Sequence, residues 1–237
     1  MIRWIKKFIK YMINSHPGTV NNLIRMLKNA KIIEDYNLQH LLWVSNLYLR
    51  VKSIPGHIAE VGVADGRNTI LFGRLIKMHN DQAIRQYIGF DTFNGYTNKN
   101  LERDKHLRKN EYKNISKDTV IKKCQDEDIE ELVELVEGDA LESVPKILSS
   151  HQGKKFHSGK AKFALVYIDC NSYTPAVKSM ENFLPYMMPG GYIVIDEKLQ
   201  GSETEAILEF AKKNSLRVQK FGTNEVPMGI QIPFYDE

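Results

Sequence analysis

The chain has 237 residues, a formal net charge of +4 and 42% hydrophobic residues. It can therefore bury the core of one sizeable domain, or of a domain with an appended piece. Acids and bases are mixed along it, which argues against nucleic acid as the main partner. Two cysteines, Cys124 and Cys170, are too few for a disulfide framework or a cysteine-rich zinc site, and they point to a reducing compartment, the cytoplasm.

No apolar run in the sequence is long enough to span a bilayer. The first residues, MIRWIKKFIKYMINS, have lysines among their apolar residues and no small-residue cleavage site after them, so a signal peptide is not expected there. Helical spacing gathers Arg3, Lys6, Lys7 and Lys10 on one face and Ile2, Ile5, Ile9 and Met12 on another. Such a helix packs on its own domain or on a second copy, so a homo-oligomer is expected. Contact of residues 1–14 with a membrane surface is the alternative. His16-Pro17-Gly18 breaks this helix, and a second helical pattern runs to Arg50. Residues 1–50 are thus expected to form an N-terminal helical extension and residues 51–237 the main domain.

Beyond Ile54-Pro55-Gly56 the pattern alternates between strand and helix. Strands are expected at 57–63 (HIAEVGV), 86–91 (QYIGFD), 131–139 (ELVELVEGD), 163–169 (FALVYID) and 192–196 (YIVID). Helices are expected at 69–78, 175–186 and 204–214, a turn at Pro189-Gly190-Gly191, and two short strand-like pieces near 217–221 and 229–233. Such alternation means a mostly parallel α/β sheet with helices on both faces, which binds ligands beyond the carboxyl ends of its strands. Residues 97–116 break the rhythm. They are polar, charged and long for a connection, so they are either disordered or a lid.

An acid stands at every strand end: Glu60, Asp91, Asp139, Asp169, and then Asp196 with Glu197. Taken singly, each also suits a helix N-cap. Together they repel one another and call for counter-charge. A dinucleotide site would want a glycine-rich turn and no carboxylates beside its pyrophosphate. The first turn here, Glu60-Val61-Gly62-Val63-Ala64-Asp65-Gly66, lacks the three-glycine fingerprint. S-adenosylmethionine has no phosphate; it has a sulfonium, an ammonium and ribose hydroxyls, which carboxylates suit. Gly62 would let the backbone approach it, Asp91 would accept from the ribose hydroxyls, and Asp139, within Gly138-Asp139-Ala140, would lie near the adenine edge. Asp169, Asp196 and Glu197 would converge as hard oxygen ligands suited to Mg2+.

At this point the sequence resembles the macrocin O-methyltransferase family, which methylates sugar hydroxyls and related groups. The resemblance covers residues 38–215 and rests on GHIAEVGVADGRNT, YIGFDTFNGY, VELVEGDALESVP and FALVYIDCNSYTPAVKSMENFLPYMMPGGYIVIDE. It implies a Rossmann-like class I methyltransferase fold, S-adenosylmethionine as donor, a divalent metal and a small-molecule acceptor such as a sugar. Glu60, Gly62, Asp91, Thr92, Phe93 and Asp139 fall at its cofactor positions. Thr69, Gly138, Ala140 and Asp169 complete the expected cofactor set. Asp169, Asp196 and Glu197 fall at its metal positions, and Asn171 and Tyr173 on the acceptor side.

Two departures matter. The family has D-x-D-x-Y after the fourth strand, where this chain has Asp169-Cys170-Asn171-Ser172-Tyr173. Asn171 cannot take a proton as the second acid does. The family has paired aspartates where this chain has Asp196-Glu197. For methyl transfer to a hydroxyl, the proton would leave by metal acidification, to Asp169 as base, or to a residue such as His106. An amine acceptor, or a cofactor-binding protein without turnover, remain the alternatives.

Overall fold

The computed structural model describes residues 35–150, 162–196, 201–221 and 228–234. The amphipathic faces of residues 1–14, the break at His16-Pro17-Gly18 and the expected ligand Glu197 lie outside the described residues. The chain divides into two compact units, residues 1–46 and 47–237. Helix α1, Asp35–Val51, contains that boundary. No described helix is long and apolar enough to cross a membrane.

In the second unit the order is β1 (His57–Val61), α2 (Arg67–Met78), β2 (Tyr87–Asp91), α3 (Asn98–Arg103), α4 (Lys117–Asp126), β3 (Val133–Glu137), α5 (Ala140–Ser150), β4 (Phe163–Ile168), α6 (Tyr173–Phe183), β5 (Met187–Ile195), α7 (Ser202–Lys213), β6 (Val218–Lys220) and β7 (Met228–Gln231). The strands make one seven-stranded sheet in the order β3-β2-β1-β4-β5-β7-β6. β1 to β5 pair in parallel, and β7 runs antiparallel to both β5 and β6. The expected fold, a mostly parallel α/β sheet of the class I methyltransferase type, is therefore observed.

β4 is central because its sequence, FALVYI, has no polar alternation, and all six of its residues are buried. Val166, Ile168, Ile193 and Ile195 pack with Ala176, Met180 and Phe183 of α6 and with Ile207 and Phe210 of α7. In α2, Phe72, Leu75 and Ile76 are buried, the i, i+3, i+4 stripe of a helix laid on a sheet. The order in which strands are added reverses between the parallel neighbours β1 and β4, so the loops that leave them run to opposite sides and open a crevice at the carboxyl ends.

One expectation is corrected. Pro189-Gly190-Gly191 is not a turn before the fifth strand; it lies inside β5. There, the five steps from Met187 to Tyr192 face only two steps, Phe163 to Leu165, on β4. The backbone freedom that reads as a turn is used for a bulge: Gly190 has φ +78°, and its N–H donates to Ile232 O at 2.9 Å. The polar run at 97–116 contains α3, and α4, for which no helix was expected, follows it at once.

Candidate active site

A cavity opens at the carboxyl ends of β1, β2, β3 and β4. Its walls include Val61, Gly62 and Ala64 after β1, Asp91 and Thr92 after β2, Gly138, Asp139 and Ala140 after β3, and Asp169, Cys170 and Asn171 after β4. Tyr96, Asn100 and Tyr112 also line it, with the Tyr96 and Tyr112 rings edge to face at 5.8 Å. Of the expected cofactor residues, Gly62, Asp91, Thr92, Gly138, Asp139, Ala140 and Asp169 are thus brought together. Among the described residues, three carboxylates and no cationic side chain line this space.

The carboxylates are held by the backbone around them. Asp91 Oδ2 accepts from Val63 N (2.8 Å) and Ala64 N (2.9 Å), and its Oδ1 accepts from Phe93 N (2.7 Å). Asp91 therefore sets the shape of the turn after β1 as well as its own. Asp139 Oδ1 accepts from Leu141 N at 3.0 Å, so it caps the start of α5 while lining the cavity. Gly138 N donates to Asp91 O at 2.9 Å and joins the ends of β2 and β3. Ala64, Phe93 and Asn171, which follow β1, β2 and β4, have φ of +48°, +49° and +53°. Such left-handed residues cost energy unless the surroundings enforce them, and they concentrate at binding sites.

Glu60 does not reach the cavity. It is fully buried beneath it, accepting from Asn68 Nδ2 at 2.8 Å and from the Tyr87 hydroxyl. Burial pushes its carboxyl up to about 8; the Tyr87 and Asn68 bonds oppose this, while the negative charges of Asp169 and Asp91 add to it. Burial thus favours the protonated, neutral form of Glu60, which spares the site a fourth converging charge. Thr69 is buried with it, its hydroxyl 2.9 Å from the Tyr87 hydroxyl. Phe93 is buried behind the β2 turn and is not among the lining residues.

Asp169 and Asp196 stand at the ends of neighbouring strands: Asp169 N donates to Val61 O (2.8 Å) and Asp196 N to Ile168 O (3.0 Å). Asp196 Oδ2 accepts from the buried Tyr167 hydroxyl at 2.6 Å. Among the described residues no three His, Cys, Asp or Glu side chains are grouped to hold a metal ion, and the third expected ligand, Glu197, is not described. Asn171 lines the cavity, but Tyr173 turns away. Its hydroxyl donates to Glu209 on α7, and the Arg103 guanidinium stacks 3.2 Å from its ring centroid. Tyr96, Asn100, Asp104, Tyr112 and Glu203 were missed by sequence reasoning. Four of them lie in or beside the polar run at 97–116, whose composition signals only exposure.

A doubly wound sheet with an acidic cavity at its switch point, lined by no cationic side chain among the described residues, is the arrangement expected of a class I methyltransferase. The model of a methyltransferase domain family matches residues 59–197, more than half of the chain, and the chain belongs to that family. Among solved structures it is similar to the calicheamicin methyltransferase CalS11, at 22% identity and a TM-score of 0.72, over 95% of this chain and 90% of that one. The O-methyltransferase NovP matches at 18% identity and a TM-score of 0.68, over 83% and 80% of the two chains. TomG from Streptomyces achromogenes, an O-methyltransferase solved in complex with S-adenosylmethionine, matches at 14% identity and a TM-score of 0.54, over 83% and 80%. At these identities the likenesses show the fold. None of the curated proteins matches the sequence.

Proposed function

We propose that this protein is an O-methyltransferase of the macrocin type, transferring the methyl group of S-adenosylmethionine to a hydroxyl of a small molecule such as a sugar. The observation that carries the reading is the cavity lined by Asp91, Asp139 and Asp169 without a cationic side chain among the described residues. In it the cofactor's ribose lies by Asp91, its adenine by Asp139 and Ala140, and its charged end toward Asp169. A hydroxyl acceptor is supported by a structural neighbour: CalS11 is described as a TDP-rhamnose 3'-O-methyltransferase.

The reaction is a displacement at the sulfonium methyl. The acceptor oxygen must lie in line with the breaking carbon–sulfur bond, and positioning supplies much of the acceleration. Asp169 reaches the cavity and is the base we assign; Asn171 beside it donates or accepts hydrogen bonds but takes no proton. Asp169 and Asp196, with Glu197, are the oxygen donors that would hold Mg2+. Bound there, the ion would make an acceptor hydroxyl more acidic. One oxygen of Asp196 is engaged by Tyr167.

The test is direct. Purified protein is given S-adenosylmethionine, Mg2+ and a panel of free sugars, nucleotide sugars, glycosides and amines, and release of S-adenosylhomocysteine is measured. Turnover on a hydroxyl acceptor is expected. Turnover on amines alone would replace the O-methyl reading with N-methylation. S-adenosylhomocysteine that does not raise the melting temperature would remove the cofactor placement.

A further inference from the structure

Two buried carboxylates from distant parts of the chain close on the residues that follow β4. Asp104, 4% exposed, stands at the end of α3. Its Oδ2 accepts from the Ser172 hydroxyl (2.6 Å) and Tyr173 N (3.0 Å), and its Oδ1 accepts from the Ser202 hydroxyl on the first residue of α7. Glu203, the next residue of α7, is fully buried, and its Oε1 accepts from Cys170 N (2.6 Å) and Asn171 N (2.7 Å). Every residue from Cys170 to Tyr173 is thus gripped by one carboxylate or the other.

The α6 helix needs this grip. Ser172 holds its N-cap position but makes no side-chain cap bond of its own. Asp104, 69 residues earlier, supplies both the acceptor for the first helical N–H and the negative charge that a helix N-terminus favours. Hydrogen bonds to an ionised group are the stronger kind. Asn171 is kept by Glu203 in a left-handed conformation, which asparagine tolerates better than most residues.

The placement goes beyond a staple of the fold. Cys170 and Asn171 line the cavity, and so do Asn100 and Tyr112, on either side of Asp104 in the chain. We propose that Asp104 is a positioning residue for methyl transfer. Acting through Ser172 and Ser202, it fastens the 97–116 segment across the cavity as a lid, while Glu203 shapes the Asn171 wall that meets the acceptor. This rests on the cavity being the S-adenosylmethionine site.

Asp104→Asn, Ser202→Ala and Ser202→Thr are compared with wild type by calorimetric binding of S-adenosylhomocysteine and by amide hydrogen exchange. Asp104→Asn is expected to weaken binding about tenfold or more. It should speed exchange in residues 95–112 and 170–173 together, with protection in β1, β4 and β5 retained. Ser202→Ala should show part of this effect, and Ser202→Thr, which keeps the hydroxyl, should restore it. Wild-type affinity and exchange in Asp104→Asn overturn the proposal, as does loss of protection throughout the sheet, which marks a purely structural role. Wild-type protein that takes up no S-adenosylhomocysteine overturns the cofactor placement, and this proposal with it.

Discussion

Gly62 lies so close to Asp169 that a methyl group on its Cα would stand 1.9 Å from the Asp169 carbonyl oxygen. Its φ of +99° is itself strained for any side chain. The glycine was expected to let the cofactor approach, but its first need is internal: the exits of β1 and β4 touch there. Gly62→Ala should therefore cost about 3 kcal/mol or more, since clash and strain add. Denaturant unfolding measures this, and a loss under about 1 kcal/mol would show that the two loops can part.

Glu60 makes stability depend on pH. Its folded-state value, about 8, lies above the ordinary 4.5, so between those pH values the folded chain holds a proton the unfolded chain has lost. The contribution is fully present below pH 4.5 and is lost as pH rises through about 8. Glu60→Gln cannot titrate. The stability of wild type relative to this variant should fall by a few kcal/mol across that window, at up to about 1.4 kcal/mol per pH unit. A difference independent of pH would mean that Glu60 is ionised in the fold.

Asp91 holds three backbone N–H groups, so its loss acts twice. Asp91→Ala should weaken S-adenosylhomocysteine binding about a hundredfold or more and destabilise the fold by about 2–4 kcal/mol. Asp91→Asn keeps one acceptor oxygen and should fall between the two. Calorimetry and thermal unfolding on the same samples separate these effects.

Asp169→Ala should abolish metal-dependent activity, whereas full turnover by wild type in chelator would end the metal proposal. Asn171→Asp should keep or raise hydroxyl methylation, because aspartate fits the same left-handed backbone and adds a base. A large fall would instead assign the Asn171 amide to holding the acceptor.

Tyr173 gives the sharpest contrast between motif and geometry. Its hydroxyl engages Glu209, away from the cavity walls. Tyr173→Phe should change the acceptor KM by less than about twofold; a tenfold rise, about 1.4 kcal/mol, would place the phenol on the acceptor.

Much of this was legible in the chain itself. The apolar run of β4, the helical stripe of α2 and the acids after β2, β3 and β4 follow from residue type and period, because backbone sterics and burial act over a few neighbouring residues. That is why the sequence alone places Asp91, Asp139 and Asp169 at strand ends. Tertiary structure alone decided which acids serve the cavity and which serve the scaffold. Glu60 shares their pattern, yet it is buried beneath the cavity, where desolvation raises its carboxyl and favours the neutral form, an effect of dielectric that no spacing encodes. The polar run at 97–116 read as disorder or lid because composition reports solvent exposure and is silent on partners. Asp104 finds its partners, Ser172 and Ser202, 68 and 98 residues further along the chain. Only the packing of α3 beside α6 and α7 brings them within hydrogen-bond reach.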